Sequence, residues 1–550
     1  MLQWLSSLGK KADHPMYNVE EARRLLGGVS ADDSKALEEI SSYLEGITAT
    51  PDFPLADRIG VLKLVDETGQ PLAGAALNLF MRSTTLKEFE RRALWQQLTD
   101  FSRSVSAAYR LCLQEIAQAR KPDAPAHPEH HLLIARTLRA LAAEGKMLQM
   151  RYLPVRPRVW EELAALYADA ENEHYVGEII KAYPTDLLPT NVRQEFLRLL
   201  MMDVAAPNSQ SLGELELSAR VVARMAAGFA LHATPEKGCP FCFDLAHPGR
   251  PSRHTPDAKE SPTLRYFGVG RSGGEMREII ERHTANPVEP EKRFGNDFSV
   301  GEKLVVLKRL LRYWGDGQPE PQTPRVKIDA KIKVSHGFSA ASELITRIEF
   351  SGMGEMSDDM RMRVKQRTGI ALQAHEITAQ IDEWQERDAT AWSIGADVPR
   401  QHEAWAKIGA LCAVVPPGMK SWWLSVIRRM RRDEQDHMHT EIEIVSKKPL
   451  SVYLRGIGEG AEKAENWQTS SGSFEFTFVN ALILNESAVA NTSHEILLKR
   501  ETFNPGIIYE VLMGDPPPYV RLEELLERGE DYDRVRVTWL KGEPASTPAA

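Results

Sequence analysis

The sequence predicts an α+β protein, an all-helical N-terminal half followed by antiparallel β-barrel or sandwich domains. Three observations predict this. Up to about residue 215, apolar residues recur at spacings of three and four, the period of a helix that buries one face. Beyond Leu212, short runs alternate apolar with polar residues between turn-forming clusters, the pattern of strands with one wet face. A chain of 550 residues also exceeds what one hydrophobic core can organise. The shifts in pattern divide the chain into a helical domain (1–215), a small α+β segment (216–300), a barrel preceded by a linker helix (301–450), a second small barrel or sandwich (451–543) and a disordered tail (544–550).

Asn18 is placed to cap a first helix, with Glu20 and Glu21 in its first turn and Gly27-Gly28 stopping it. Leu37, Ile40, Tyr43 and Leu44 share one face of a second. Leu94, Leu98, Phe101, Val105 and Tyr109 form a long core-facing stripe, which the Pro/His-rich stretch 121–128 breaks. Trp160, Leu163, Ala164, Tyr167 and Ala168 follow the first-helix pattern of a tetratricopeptide unit. No steady period accompanies that single match, so irregular helix pairs that contact a protein partner are expected.

Strands are expected at Cys239–Leu245, Thr263–Phe267, Lys327–Val334 and Ile345–Phe350, with a helix over Gly301–Trp314. Trp423–Met430 and His439–Val445 read as a hairpin around Asp433-Glu434-Gln435-Asp436, Ile442 and Ile444 facing inward between Glu441 and Glu443. In the last stretch, Phe474, Phe476 and Phe478 alternate with polar partners, Glu495–Lys499 is a short strand, Val520–Glu527 a short helix and Val535–Leu540 a final strand.

A net charge of −9 and a pI near 6.0 argue against binding a nucleic-acid polymer. No apolar run reaches the roughly 18 residues of a membrane span. The N-terminus lacks a basic segment ahead of its apolar residues, so a cytoplasmic chain is expected. Four cysteines are too few for a disulfide framework.

Gly268-Val269-Gly270-Arg271-Ser272-Gly273 fits the glycine pattern of a dinucleotide loop. The region from Asn286, however, lacks the second strand and acidic residue that such a site needs, and a glycine turn between strand and helix explains it better. Cys239 and Cys242 alternate with Phe241 and Phe243, so they read as small buried residues of a strand. A zinc site with His247 and His254 is the alternative. His127, His130 and His131, and the pair His437 and His439, read as solvated imidazoles rather than metal ligands. No nucleophile, metal or kinase signature is found, and neither an enzyme nor a cofactor is expected.

From Arg325 to Leu454 the order of features resembles a PilZ domain, an antiparallel barrel that in typical members binds the bacterial second messenger cyclic di-GMP through R-x-x-x-R and D/N-x-S-x-x-G. At the first motif Lys327 and Lys331 have the spacing but not the side chains, and Arg325 is paired at that spacing with Asp329. At the second, Asp388 stands at the acid position, Thr390 replaces serine, and Ser393 occupies the glycine position with Gly395 just beyond. The resemblance implies a ligand site of Arg325, Lys327, Lys331, Asp388, Thr390, Ser393 and Gly395. From the basic run 428–432, Arg428 or Arg429 would reach a phosphate. Such a ligand would clamp the junction before Lys327.

The departures have a cost. Guanidinium groups fork to guanine or phosphate and stack on bases, whereas lysine supplies only a point charge. Each lost bidentate pair weakens binding by about 1–3 kcal/mol. Two readings follow: a non-catalytic signalling or scaffold protein with a divergent PilZ-like domain and cyclic di-GMP as candidate ligand, or a purely structural interaction protein without a small-molecule ligand. The lost forks favour a barrel that contacts protein over one that holds nucleotide. A redox or nucleotide-cofactor enzyme would need a parallel sheet, for which no pattern exists.

Overall fold

A computed structural model describes residues 12–30, 35–83, 85–120, 127–255, 261–286, 288–315, 324–352, 379–457, 478–484, 493–512 and 517–540. The expected alternation at Phe474 and Phe476 and the expected tail 544–550 lie outside these residues. The chain forms two compact units, Met1–Glu320 and Pro321–Ala550.

Among the described residues, the first unit begins with eight α-helices: α1 (Val19–Leu26), α2 (Ala36–Ala49), α3 (Leu55–Arg82), α4 (Glu88–Ala119), α5 (His130–Gln149), α6 (Pro157–Asn172), α7 (Val192–Asp203) and α8 (Leu212–Met225). Asn18 caps α1 through the Glu21 amide, as its position predicts. The stripe from Leu98 to Tyr109 is buried along α4, and Trp160, Leu163, Ala164 and Tyr167 are buried along α6. There Tyr167 stacks on Phe196 of α7 at 4.1 Å.

A buried polar cluster ties α3, α4 and α5 together. The fully buried Asp66 accepts from the Tyr109 hydroxyl at 2.7 Å, and Arg136 donates to that hydroxyl, to the Ala182 carbonyl and to Glu67. Every donor finds an acceptor, which is the condition under which buried polar groups are tolerated.

Four short strands follow: β1 (Ala230–His232), β2 (Phe241–Asp244), β3 (Ser252–Arg253) and β4 (Leu264–Gly268). They form one sheet of order β1-β4-β2-β3, antiparallel at every pairing. Helices α9 (Ser272–Ala285) and α10 (Val300–Trp314) complete the unit. Helix α10, expected to lead into the barrel, turns Val306, Leu307, Leu310 and Trp314 into the core shared with α7 and α8. The Trp314 indole donates to the Met201 carbonyl.

The second unit holds two closed six-stranded antiparallel barrels. The first is built from β5 (Val326–His336), β6 (Asp382–Ala389), β7 (Ser393–Val398), β8 (Leu411–Val415), β9 (Trp423–Arg432) and β10 (Met438–Ser446), with helix α11 (Phe338–Gly352) between β5 and β6. The second comprises β11 (Leu450–Ile457), β12 (Phe478–Ile483), β13 (Ser493–Lys499), β14 (Ile508–Val511), β15 (Tyr519–Arg528) and β16 (Tyr532–Leu540). The expected hairpin is β9–β10, with Ile442 and Ile444 buried between half-buried Glu441 and Glu443.

Two expectations are corrected. Ile345–Phe350 is not a strand but part of α11. The decisive pattern starts upstream, because Phe338, Ala341, Leu344 and Ile345 recur at helical spacing and are all buried. Val520–Glu527 is not a helix but most of β15. Pairing with β14 on one side and β16 on the other overrides the helix-forming Leu and Glu residues, and Val520 and Leu522 are buried in the barrel core.

The barrels share a core. Phe338, Leu344 and Ile345 of α11 and Leu411, Leu424 and Val426 of the first barrel pack with Leu482, Leu497 and Tyr532 of the second. Asp531 accepts from the backbone amides of Phe338 (2.6 Å) and Leu411 (3.2 Å), so the second barrel caps the start of α11. Arg428 is the polar rivet. It pairs with Glu443 of its own barrel (2.5 Å) and with Glu527 of the second, which also accepts from the Tyr532 hydroxyl (2.7 Å). Burial pushes the Glu527 carboxyl up, but hydrogen bonding and charge from Arg428, helped by Tyr532 and Arg534, bring it below the ordinary range.

Removing either partner strands the other. Arg428→Ala should destabilise the second unit by about 2 kcal/mol, less than for a fully buried pair because both side chains keep about a quarter of their surface. A carboxyl depressed in the folded state contributes stability above its unfolded value, and that contribution is lost as pH falls through the folded value. Chemical denaturation at pH 7 and pH 3 should therefore show a smaller pH-dependent loss in Glu527→Gln than in wild type. Equal losses would remove the pair from the account of the joint.

Candidate ligand-binding face of the first barrel

Strand register assembles the candidate residues. Lys327 of β5 pairs with Asp388 of β6, Asp388 with Gly395 of β7, Gly395 with Glu441 of β10, and Glu441 with Arg429 of β9. The result is one row of charged side chains crossing the barrel wall, interrupted at its centre by a glycine. Three irregularities border it, one in β5 between Lys327 and Ala330, one in β6 between Glu386 and Asp388, and one in β9 at Arg428, beside the Glu441–Arg429 pair. Each inserts an extra residue, re-aiming the side chains beyond it.

Glycine is required at the centre. A Cβ on Gly395 would overlap the Asp388 carboxylate, its Cγ being only 2.9 Å away. In the open space Arg325 lays its guanidinium across the row, donating to Asp388 Oδ1 at 2.5 Å and to Glu441 at 2.8 Å. Partial burial works against its charge, but Glu441 and Asp388 outweigh that and raise its pKa further. Arg429 approaches Glu441 from the far side at 3.5 Å, and Lys327 is exposed at the near end.

Thr390 and Ser393 close the β6–β7 turn. The Thr390 amide donates to the Ser393 carbonyl at 2.8 Å, the two hydroxyls lie 2.9 Å apart, and Thr390 Oγ1 also accepts from the amides of Trp392 and Ser393. Their hydroxyls shape the turn that flanks the row beside Asp388 and Gly395.

Of the nine candidate residues, seven from the resemblance and two from the basic run, Arg325, Lys327, Asp388, Gly395 and Arg429 converge, with Thr390 and Ser393 at the adjoining turn. Lys331 pairs with Glu383 at 3.0 Å, lies beside Gln385 in the register, and lines a shallow groove with Gln385 and Asp397. Arg428 is engaged at the joint between the barrels. Glu441, which completes the acceptor pair, escaped the sequence reading because its alternation with Ile442 explained it as a wet-face residue.

The helical region carries the comparison with known proteins. Residues 21–236 match a family model, the N-terminal domain of the cyclic-di-GMP receptor FimW. The stretch runs from within α1 past β1, and is less than half of the chain. No curated protein matches.

The other motifs take ordinary places. Gly268 and Gly270 link β4 to α9, with Gly270 at φ +51° packed against the backbone of Gly228 and Ala230, and β4 has only antiparallel neighbours. Cys242 lies on β2 beside the Ser252 hydroxyl, Cys239 is buried, His247 pairs with Asp244, and His254 packs edge-on against Tyr266. His130 is buried rather than solvated, contacting Asp169 on α6 and the Tyr175 hydroxyl beyond it. His437 is held by Asp433, and His439 by Asp433 and Asp397. Among the described residues, no three His, Cys, Asp or Glu side chains gather as metal ligands. No described helix is long and apolar enough to cross a membrane.

The central glycine is open to test. Gly395→Ala should cost the second unit about 1–2 kcal/mol by overpacking, and adding Asp388→Ala should return most of that loss. Additive effects in a denaturation cycle would mean that the two residues do not meet.

Proposed function

We propose that the chain is a non-catalytic cyclic di-GMP receptor whose first barrel is a divergent PilZ domain and whose ligand lies along the row centred on Gly395. The observation that carries this reading is the acceptor pair over that glycine. Asp388 and Glu441 hold a planar, two-pronged cation, and a guanine presents a comparable planar edge of N1–H and N2–H donors. The similarity of the helical region to a domain of a cyclic di-GMP receptor points the same way.

The chemistry is an exchange. A guanine edge takes the carboxylates, and Arg325 turns its fork to the adjoining phosphate, with Lys327 adding a point charge. Because Arg325 occupies the acceptors beforehand, part of the binding energy goes into releasing it. Apparent affinity is lowered by the fraction of molecules in which the latch is shut. The helices are proposed to carry the signal to a protein partner.

Thermal-shift and calorimetric titration of the full chain test the reading. Cyclic di-GMP at about 100 times its Kd should stabilise the protein by about 2.7 kcal/mol, and Asp388→Ala should weaken binding at least about tenfold. Cyclic di-AMP, whose adenines lack the N1–H and N2–H donors, should bind far more weakly. No shift with saturating cyclic di-GMP would leave a structural interaction protein.

A further inference from the structure

An aromatic and cationic group borders the candidate row, its first member at an unspecified position of the second motif and the others outside both motifs. Trp392 sits in the turn between β6 and β7, directly between Thr390 and Ser393, and is 53% exposed. Its backbone carbonyl accepts from the Ile444 amide at 2.9 Å, which fixes the turn against the end of β10. Lys447, just past β10, places its ammonium 4.8 Å from the Trp392 ring and 4.9 Å from the ring of Trp423, which begins β9. Three segments distant in sequence thus meet at one end of the barrel as indole, ammonium and indole.

The first hairpin turn of a barrel has no packing need for a large indole more than half in water, and burying it would recover apolar area. The backbone contact and the lysine nevertheless hold it in place. A flat π-surface beside a fixed positive charge matches a nucleotide, whose base stacks on the ring and whose phosphate meets the ammonium. Trp392 precedes Gly395 by three residues, so their backbones stand roughly 10 Å apart. A ligand with two guanines joined through two phosphates has a second base to place.

We infer that Trp392, backed by Lys447 and Trp423, is the stacking platform for the second guanine of the dinucleotide whose first guanine is read by Asp388 and Glu441. The assignment rests on the receptor reading proposed above. It also answers what the lysines at 327 and 331 leave open: where arginine planes are missing, an indole supplies the stacking surface.

Calorimetric titration of the full chain with cyclic di-GMP, paired with melting of each variant without ligand, tests the platform. Trp392→Ala should weaken binding about tenfold or more at an unchanged melting temperature, the range expected for loss of one base–aromatic stack. Trp392→Phe should recover most of the affinity. Lys447→Ala should weaken binding less, and should flatten its salt dependence. Wild-type binding with undiminished affinity in Trp392→Ala overturns the platform but leaves the receptor reading standing. A wild-type chain that binds no cyclic di-GMP overturns both.

Discussion

Strand register in the first barrel is the constraint on which the candidate site depends. Side chains alternate across a strand with period two, so a slip of one residue would carry Asp388 to the barrel interior and bring Glu386 out. The irregularities before Ala330 and Asp388 set that phase locally. They align residues from five strands into a row, although no two neighbours of the row are close in sequence except Asp388 and Gly395. Barrel closure then fixes the row, because each strand is held from both sides.

Electrostatics within the row is compatible with the proposed nucleotide site on a chain of net negative charge. The cations are not massed in a basic patch. Arg325 is neutralised by Asp388 and Glu441, and Arg429 approaches Glu441. Such a surface has little long-range pull on polyanions, so the proposed recognition would rest on geometry at contact. The helical unit solves a different problem: Asp66 and Arg136 are both buried, and a closed set of hydrogen bonds makes that tolerable.

Legibility in the sequence followed the range of the signal. Short-range patterns read well: the cap at Asn18, the stripe along α4, the hairpin around Asp433–Asp436 and the strand positions of Cys242 and Phe267 all follow from neighbours within a few residues. Elements whose state depends on distant partners did not. The run Val520–Glu527 has helix-forming residues and becomes a strand only because β14 and β16 flank it, while Ile345–Phe350 needed the apolar residues upstream to declare its period. The same rule holds at the site. Motif spacing reached Arg325, Lys327 and Asp388 and stopped two residues short of Gly395, but Glu441 enters only through register, and Arg428 finds Glu527 in the other barrel. Lys331 has the expected spacing from Lys327, yet the extra residue between them turns it toward Glu383.

The core common to both barrels has one more consequence. Only three residues join β10 to β11, and Leu424, Val426 and Tyr532 each cover apolar surface that belongs to the other barrel. Neither barrel is therefore a portable module. Cutting the chain at that linker would leave each half with an uncovered greasy flank, inviting self-association rather than yielding a minimal folded module. The two barrels share one core and stand as a single body.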